Sequence, residues 1–406
     1  MSFEWFVALR YLREGRSQTT LIVSAVALGV GVLVFLTALM SGLQANLLEK
    51  TLGSQAHLIV HPPDAVARPL ATVARNEIAL TRVDKPSLRP LSIGQYAQLL
   101  TAIRAQPGVL AATPVVSGSA FVVRGALQKS VTLRGIDPES FDRVIPIASK
   151  IREGRYRLSG ASVLLGTDLA NDLGVGVDDK IRIVTAEGLS ETFSIVGLFD
   201  LGSKELNQRW VLTPLRSAQT LFNLAGAVSA IEAKVADVFA AETIAAAIAA
   251  RTSLVADSWM RNNPQLLVAL QSQASSTNII QFFITLTVAL GIASVLIVSV
   301  VQKSREIGIL RAFGTQSARV LRIFLIEGAL VGLAGSLVGA GLGVGLARLF
   351  VTVQRGADGG SMFPIPITWQ ILVLPVILAT LVGLVAAVVP ARRAARLDPA
   401  QVIRNG

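Results

Sequence analysis

The chain has 406 residues, 52% of them hydrophobic and 16% charged, with a mean hydropathy of +0.60, too apolar for an ordinary soluble protein. Its net charge of +11 would suit a nucleic-acid surface. The basic residues instead gather in short pieces beside long apolar stretches, which excludes nucleic acid as a partner.

Residues 1–18 carry Phe3, Phe6, Val7, Arg10 and Tyr11 at i, i+3, i+4 spacing, with Arg10 and Arg13 at the rim. This predicts an amphipathic helix on the cytoplasmic face of a membrane. Residues 19–41 are uncharged and long enough, at about 1.5 Å per residue, to cross ~30 Å of hydrocarbon. They read as a first span, retained as an anchor. The apolar core is longer than that of a signal peptide, and the small-residue site near Leu43 and Ala45 is weak.

Residues 42–275 are polar and mixed. Alternating runs predict strands at 56–61, 115–124, 130–134, 163–165, 180–185, 191–198, 211–213 and 231–235. Helical runs are predicted at 95–105, 167–173, 215–224 and 240–250, the first capped by Ser92. Gly125, Asp178, Asp179 and Gly188 mark turns. The expected fold is a large mixed α/β domain of two subdomains, with a β-rich one at about 155–230 inserted into the other. Without cysteine, core burial alone must hold it.

Chemistry in this domain is sparse. His57 and His61, the only histidines, fall in a strand, where i and i+4 lie ~13 Å apart, so no metal site is expected. No Walker A pattern occurs. Leu158, Ser159 and Gly160 resemble the start of an ATPase signature loop, but Ala161 follows and no phosphate-binding loop accompanies them. No nucleophile stands in a recognisable motif. The chain reads as a non-enzyme without catalytic residues or a cofactor of its own.

Residues 279–301, 323–350 and 370–389 predict three more spans, and 265–281 extends the second outward as a stalk. In the loop 302–322, Ile307, Leu310 and Phe313 recur at i, i+3, i+6, and Ile309 joins Phe313 at i+4. Arg305, Glu306 and Arg311 rim this face and Gly314 ends it. Such a helix suits a hydrophobic groove on another protein, or else rests on lipid headgroups. The third span holds Gly328 and Gly332, then Gly335, Gly339 and Gly343, at four-residue spacing that permits close helix packing or forms a hinge. Glu327 is an intramembrane acid, either a functional group or an anchor snorkelling to the rim.

The segment before the first span carries +1, the loop 302–322 +4 and the tail 390–406 +3, whereas the loop 351–369 holds only Arg355 and Asp358. Lys and Arg in short loops mark the cytoplasmic side. Both termini and the second loop are expected inside, with the large domain and last loop outside.

These features together resemble the FtsX-like permeases of ABC transporters. The resemblance rests on four spans, a domain after the first, the loop from Arg305, Glu306, Ile307 and Gly308 through Leu310 and Arg311 to Phe313 and Gly314, and the tail from Pro390 to Pro399. Within that family, residues 6–13, 41–53 and 57–60 are most similar to the lipoprotein-releasing (Lol) permeases. The resemblance implies a type VII transporter subunit in the bacterial inner membrane. The loop helix would couple to a separate ABC ATPase, present in two copies and carrying ATP and Mg, beside a second permease, identical or paralogous. ATP-driven motion would pass to the outer domain by mechanotransmission and extrude lipoproteins or other lipid-anchored cargo. A periplasmic chaperone or a membrane-fusion protein would receive it. Lol cargo leaves between the first two spans, where this chain offers Val32, Phe35, Leu36 and Leu39 facing Phe282, Phe283 and Leu286. Residues 199–207 have a comparable segment in Lol permeases. Two other functions fit the same architecture: the permease of a MacB-like tripartite efflux pump, and a regulatory scaffold for cell-wall hydrolases. A neighbouring gene for a membrane-fusion protein would favour efflux, and one for a chaperone would favour lipoproteins.

Overall fold

The computed structural model describes residues 3–14, 16–64, 91–354 and 368–396. Arg355, Asp358 and the tail beyond 396 lie outside them. In chain order the elements are α1 (Phe3–Glu14), α2 (Arg16–Leu52), β1 (Leu58–His61), α3 (Tyr96–Arg104), β2 (Val109–Arg124), β3 (Leu127–Ile136), α4 (Pro138–Val144), β4 (Ile151–Gly154), β5 (Ser162–Gly166), α5 (Thr167–Leu173), β6 (Lys180–Thr185) and β7 (Ser190–Phe199). Then come α6 (Lys204–Arg209), β8 (Trp210–Pro214), α7 (Leu215–Leu221), β9 (Ala230–Val235), α8 (Ala241–Arg251), β10 (Val255–Ser258), α9 (Trp259–Asn262), α10 (Pro264–Gln302), α11 (Ser304–Ala312), α12 (Ser317–Val353), α13 (Trp369–Ala386) and α14 (Val388–Ala395). The chain divides into a helical unit, residues 1–47 with 268–406, and a second unit, residues 48–267.

Among the described residues four stretches are long and apolar enough to cross a membrane: α2, α10, α12 and the run from Trp369 to Ala395. The helices α2, α10 and α12 each outrun their apolar stretch. Pro264 sits at the first position of α10, where its missing N–H costs nothing, and the helix then runs unbroken through the stalk.

In the second unit the strands close on themselves. β2 pairs with β3, β3 with β8, β8 with β5, β5 with β7, β7 with β6, and β6 returns to β2. The pairs β3·β8 and β5·β7 are parallel and the others antiparallel. Alternate residues fill the ring: Val122, Leu133, Val163, Leu165, Ile183, Phe193, Ile195 and Val211 are all buried. β2 is long enough to serve twice. Its first half pairs with β9, which carries β1 and then β10 outward as a wing, and its second half belongs to the ring. The two subdomains expected from the sequence therefore share β2 and are hydrogen-bonded into one sheet.

The outer face of the ring has its own core. Leu164, Leu212 and Ile136 point away from the interior and pack with Phe141, Val144, Ile145 and Ile147 from α4 and the turn after it. Asp137 accepts from the Ser140 N–H at 3.3 Å and Pro138 follows it, a capped start for α4. Arg134 is buried on this same face between the rings of Trp210, 4.0 Å away, and Phe141, 5.3 Å away, and it pairs with buried Glu232.

Two local expectations change. Ser92 caps nothing. Ile93 exchanges backbone hydrogen bonds with Val228, and α3 starts three residues later behind Gln95, whose φ is 50°. The histidines part company. His57 is buried against the Val235 backbone, and burial lowers its pKa. His61 places Nδ1 2.8 Å from the Pro62 carbonyl and Nε2 3.0 Å from Asp257. Burial opposes its charge, but these two acceptors, with the charges of Asp257 and Asp64, outweigh that and raise its pKa.

The raised His61 value sets a pH window. The contact of His61 with Asp257, a clasp between β1 and β10, contributes fully below the unfolded value near 6.5 and is lost as pH rises through the higher folded value. His57 has the opposite sign, so the clasp is isolated by comparing wild type with Asp257→Asn. Thermal unfolding of the detergent-solubilised chain should show a gap worth about 0.5–1 kcal/mol at pH 6 that shrinks by pH 8.5. A gap that is constant across this range would show that His61 is not charged in the fold.

Candidate functional site

α11 rests on a platform drawn from three distant parts of the chain. Ile307 is 1% exposed and packs with Val7, Ala8 and Tyr11 of α1, Ile323 and Phe324 of α12, and Ala391 and Ala394 of α14. Lys303 holds Nζ 3.7 Å from the centre of the Tyr11 ring and donates to the Tyr11 carbonyl at 3.4 Å. Burial, with Glu306 and Glu327 nearby, pushes the Tyr11 phenol up to about 12, so the ring stays neutral and attracts the ammonium. The far end of α11 closes with both hydrogen bonds of a Schellman motif, Gly314 N–H to the Arg311 carbonyl at 3.0 Å and Thr315 N–H to the Leu310 carbonyl at 3.1 Å. Gly314 has φ of 89°, which a side chain would strain.

The sequence placed Ile307, Leu310 and Phe313 on one docking face, and the structure divides them. Ile307 and Gly308 are buried, Leu310 and Arg311 half-buried, and Arg305 and Glu306 exposed. Phe313 is 86% exposed and Ile309 44%. Six positions at ~100° each put Ile307 and Phe313 ~120° apart around the helix, so one anchors inward while the other faces out. The outward apolar pair is Ile309 with Phe313. α1 divides likewise: Val7, Ala8 and Tyr11 are buried against protein, and Phe3, Trp5 and Phe6 are exposed.

Between α2 and α10 lies an apolar cleft of about 470 Å³. Ala25, Gly29 and Val32 line it from α2, and Phe283, Thr287, Val288 and Gly291 from α10. The Thr287 hydroxyl donates to the Phe283 carbonyl at 2.8 Å, so the polar atom is already satisfied and the walls offer hydrocarbon only. Two side-chain bonds bracket the cleft. Gln18 donates to the Val295 carbonyl at 3.3 Å at one end, and Gln281 donates to the Thr37 hydroxyl at 2.9 Å at the other. A 470 Å³ apolar space falls within the ~300–1,000 Å³ of small-molecule pockets and suits an alkyl chain.

Of the expected cargo path, Val32 and Phe283 line this cleft and the others do not. Phe35 turns to α12, its ring centre 6.0 Å from that of Phe350. It is one turn on from Gly31, whose face of α2 is pressed to Gly339 and Gly343. Leu36 and Leu39 are half-buried, one on either side of Thr37, which accepts the Gln281 bond. Phe282 and Leu286 are exposed on α10, the Phe282 ring edge-on to Phe283 at 5.6 Å. Gly29, Val288 and Gly291 were missed. Their only sequence signal is small residues within two spans that are apolar all round, which fixes no face.

The glycines of α12 work as contact surfaces. A Cβ at Gly335, Gly339 or Gly343 would lie within 3 Å of Val26, Ala27 or Val34 on α2, and one at Gly328 within 3 Å of Gly383 and Ala387. α12 is unbroken through them, so close packing rather than a hinge accounts for the stripe. Glu327 is 4% exposed, and its Oε2 has no hydrogen-bond partner among the described residues. It is therefore enclosed by protein and does not snorkel to the rim.

The family described as the MacB-like periplasmic core domain matches residues 19–251, and the FtsX-like permease C-terminal family matches residues 278–399. The lipoprotein-releasing system transmembrane protein LolC of Xylella fastidiosa is 26% identical over 98% of both chains. The LolE protein of the same system in Haemophilus influenzae is 25% identical over 100% of both. The macrolide export ATP-binding/permease protein MacB of Vibrio parahaemolyticus is 35% identical, over 28% of this chain and 16% of its own length.

If Tyr11 and Lys303 hold α11 in place, Tyr11→Ala should loosen it without unfolding α12. Amide exchange in residues 304–312 should accelerate about tenfold, while that in 320–340 stays unchanged. Equal protection in both proteins would assign the platform to α12 and α14 alone.

Proposed function

This chain belongs to the FtsX-like ABC transporter permeases with a MacB-like periplasmic core domain, and we propose that it releases lipid-anchored proteins from the outer leaflet of the bacterial inner membrane. Similarity to lipoprotein-releasing relatives along the full length of both chains carries this reading. The apolar cleft between α2 and α10 supports it, because an acyl chain needs an uncharged surface beside the bilayer.

In this reading the second unit is periplasmic. Both termini and α11 are cytoplasmic, as the basic loops favour. A separate ABC ATPase, two copies per complex, docks on Ile309 and Phe313 and supplies the energy of ATP hydrolysis with its Mg. Arg305, Glu306 and Arg311 frame that contact, half-buried Leu310 fills its inner margin, and Gly314 fixes where the helix stops. A second permease, identical or paralogous, completes the pair. ATP-driven motion reaches the periplasmic unit mechanically through α2 and α10, and a chaperone or membrane-fusion protein receives the cargo. The efflux alternative has one observation in its favour, the partial match to the macrolide exporter.

Native copurification tests both halves of the proposal. Tagged wild-type chain should bring down an ABC ATPase together with acylated proteins. Removing a central apolar anchor costs ~2 kcal/mol or more, so Phe313→Asp should lower ATPase recovery at least ~30-fold with the permease still in the membrane. Undiminished ATPase on Phe313→Asp would make α11 a surface helix. Capture of a membrane-fusion protein and no acylated protein would favour efflux.

A further inference from the structure

The first membrane helix ends in a buried polar knot. α2 stops at Leu52, and two residues later Ser54, 4% exposed, donates its hydroxyl to the Leu201 carbonyl at 2.9 Å. Leu201 belongs to the connection between β7 and β8. Its own N–H donates to Asn207 Oδ1 at 2.9 Å, and the Asn207 amide donates to Asp200 Oδ1 at 2.9 Å. Asp200 also accepts from the Gly202 N–H at 2.9 Å. That amide first, then Asn207, with Arg152 beyond, hold the Asp200 carboxyl below the usual carboxylate range.

Asn207 is itself immobilised. It is 3% exposed, and its backbone presses on β5 so closely that a Cβ at Gly166 would lie 2.0 Å from its carbonyl oxygen. The connection 200–207 is thus fixed to a ring strand on one side and gripped by Ser54 on the other. Ala56, two residues on from Ser54, enters the outer core of the ring with Leu201 and Phe199. Among the described residues the second membrane helix has no such side-chain hydrogen bond to the ring. It is preceded by Trp259, which bonds the His57 carbonyl at 3.0 Å, and by β10 at the edge of the wing.

We infer that Ser54, Leu201 and Asn207 form the joint through which displacement of α2 drives the ring, with Ser54 and Asn207 as positioning residues. This rests on the transport reading above. A buried hydroxyl bonded to a lone backbone carbonyl makes a directional contact that apolar packing would not. The charged helix α6, which carries Asn207, moves with it.

The test is hydrogen exchange on the intact permease–ATPase complex, with and without a non-hydrolysable ATP analogue. In wild type, nucleotide should change exchange at residues 199–209 by about tenfold. In Ser54→Ala and Asn207→Leu the change should fall below about twofold, while ATPase recovery and Tm stay within a few degrees of wild type. Ser54→Thr, which keeps the hydroxyl, should restore it. No nucleotide-linked change in wild type, an undiminished change in both variants, or a loss that tracks a fall in Tm and that threonine does not rescue, would each overturn the joint. The cargo reading is scored separately, by ATP-dependent release of acylated protein from wild-type proteoliposomes. Its failure would leave the exchange result standing.

Discussion

Four residue pairs, from Leu58 opposite Ser258 to His61 opposite Val255, make β1 and β10 an antiparallel ladder. β1 is the first strand after α2, and β10 is the last before α9 and α10. Adjacent strands lie only ~4.8 Å apart, so this short ladder fixes the spacing of the chain where it leaves one membrane helix and enters the next. The chain between the two strands, residues 62–254, is closed into one loop by that pairing. Trp259 reinforces it with its N–H on the His57 carbonyl and its indole N–H on the Val238 carbonyl at 2.6 Å.

Within the helical unit the same two helices run alongside each other under a different constraint. Gln18 and Gln281 hold them at two levels, and between these Gly29 and Gly291 leave a space. α2 is braced from behind, where Gly335, Gly339 and Gly343 of α12 admit Val26, Ala27 and Val34. The face of α2 turned to α10 is left loosely filled while its opposite face is packed to contact. The proposed path for a hydrocarbon chain runs along this α2–α10 seam, which Gln18, Gln281 and Gln273 bridge with side-chain hydrogen bonds.

Much of this was legible in the sequence because its signals are local. α5 and β6 fall at the residues that alternation and turn chemistry indicated, bounded by Gly174, Asp178 and Gly188, all with positive φ. The β2–β3 hairpin turns at Gly125 as expected. What was hidden depends on partners far along the chain. The parallel pairings that close the ring join strands dozens of residues apart, and no local pattern encodes them. Ile307 turns inward because α1 and α14 complete a platform that the loop alone does not reveal. Which apolar residues line the α2–α10 cleft was not legible, because α10 is apolar all round and its sequence fixes no face, and because Phe35 packs on Phe350.

The central claim is that lipid-anchored cargo enters between α2 and α10, and a cross-link across the cleft tests it most directly. A Cβ at Gly29 would lie 3.9 Å from the Val288 Cβ, inside the ~3.5–4.5 Å span of a disulfide. With no native cysteine to interfere, Gly29→Cys with Val288→Cys should form a single bond that pins the cleft shut. Release of acylated protein from proteoliposomes should stop on oxidation and return with reductant, with ATPase binding intact throughout. Full release from quantitatively cross-linked protein would contradict the account and move the cargo path elsewhere.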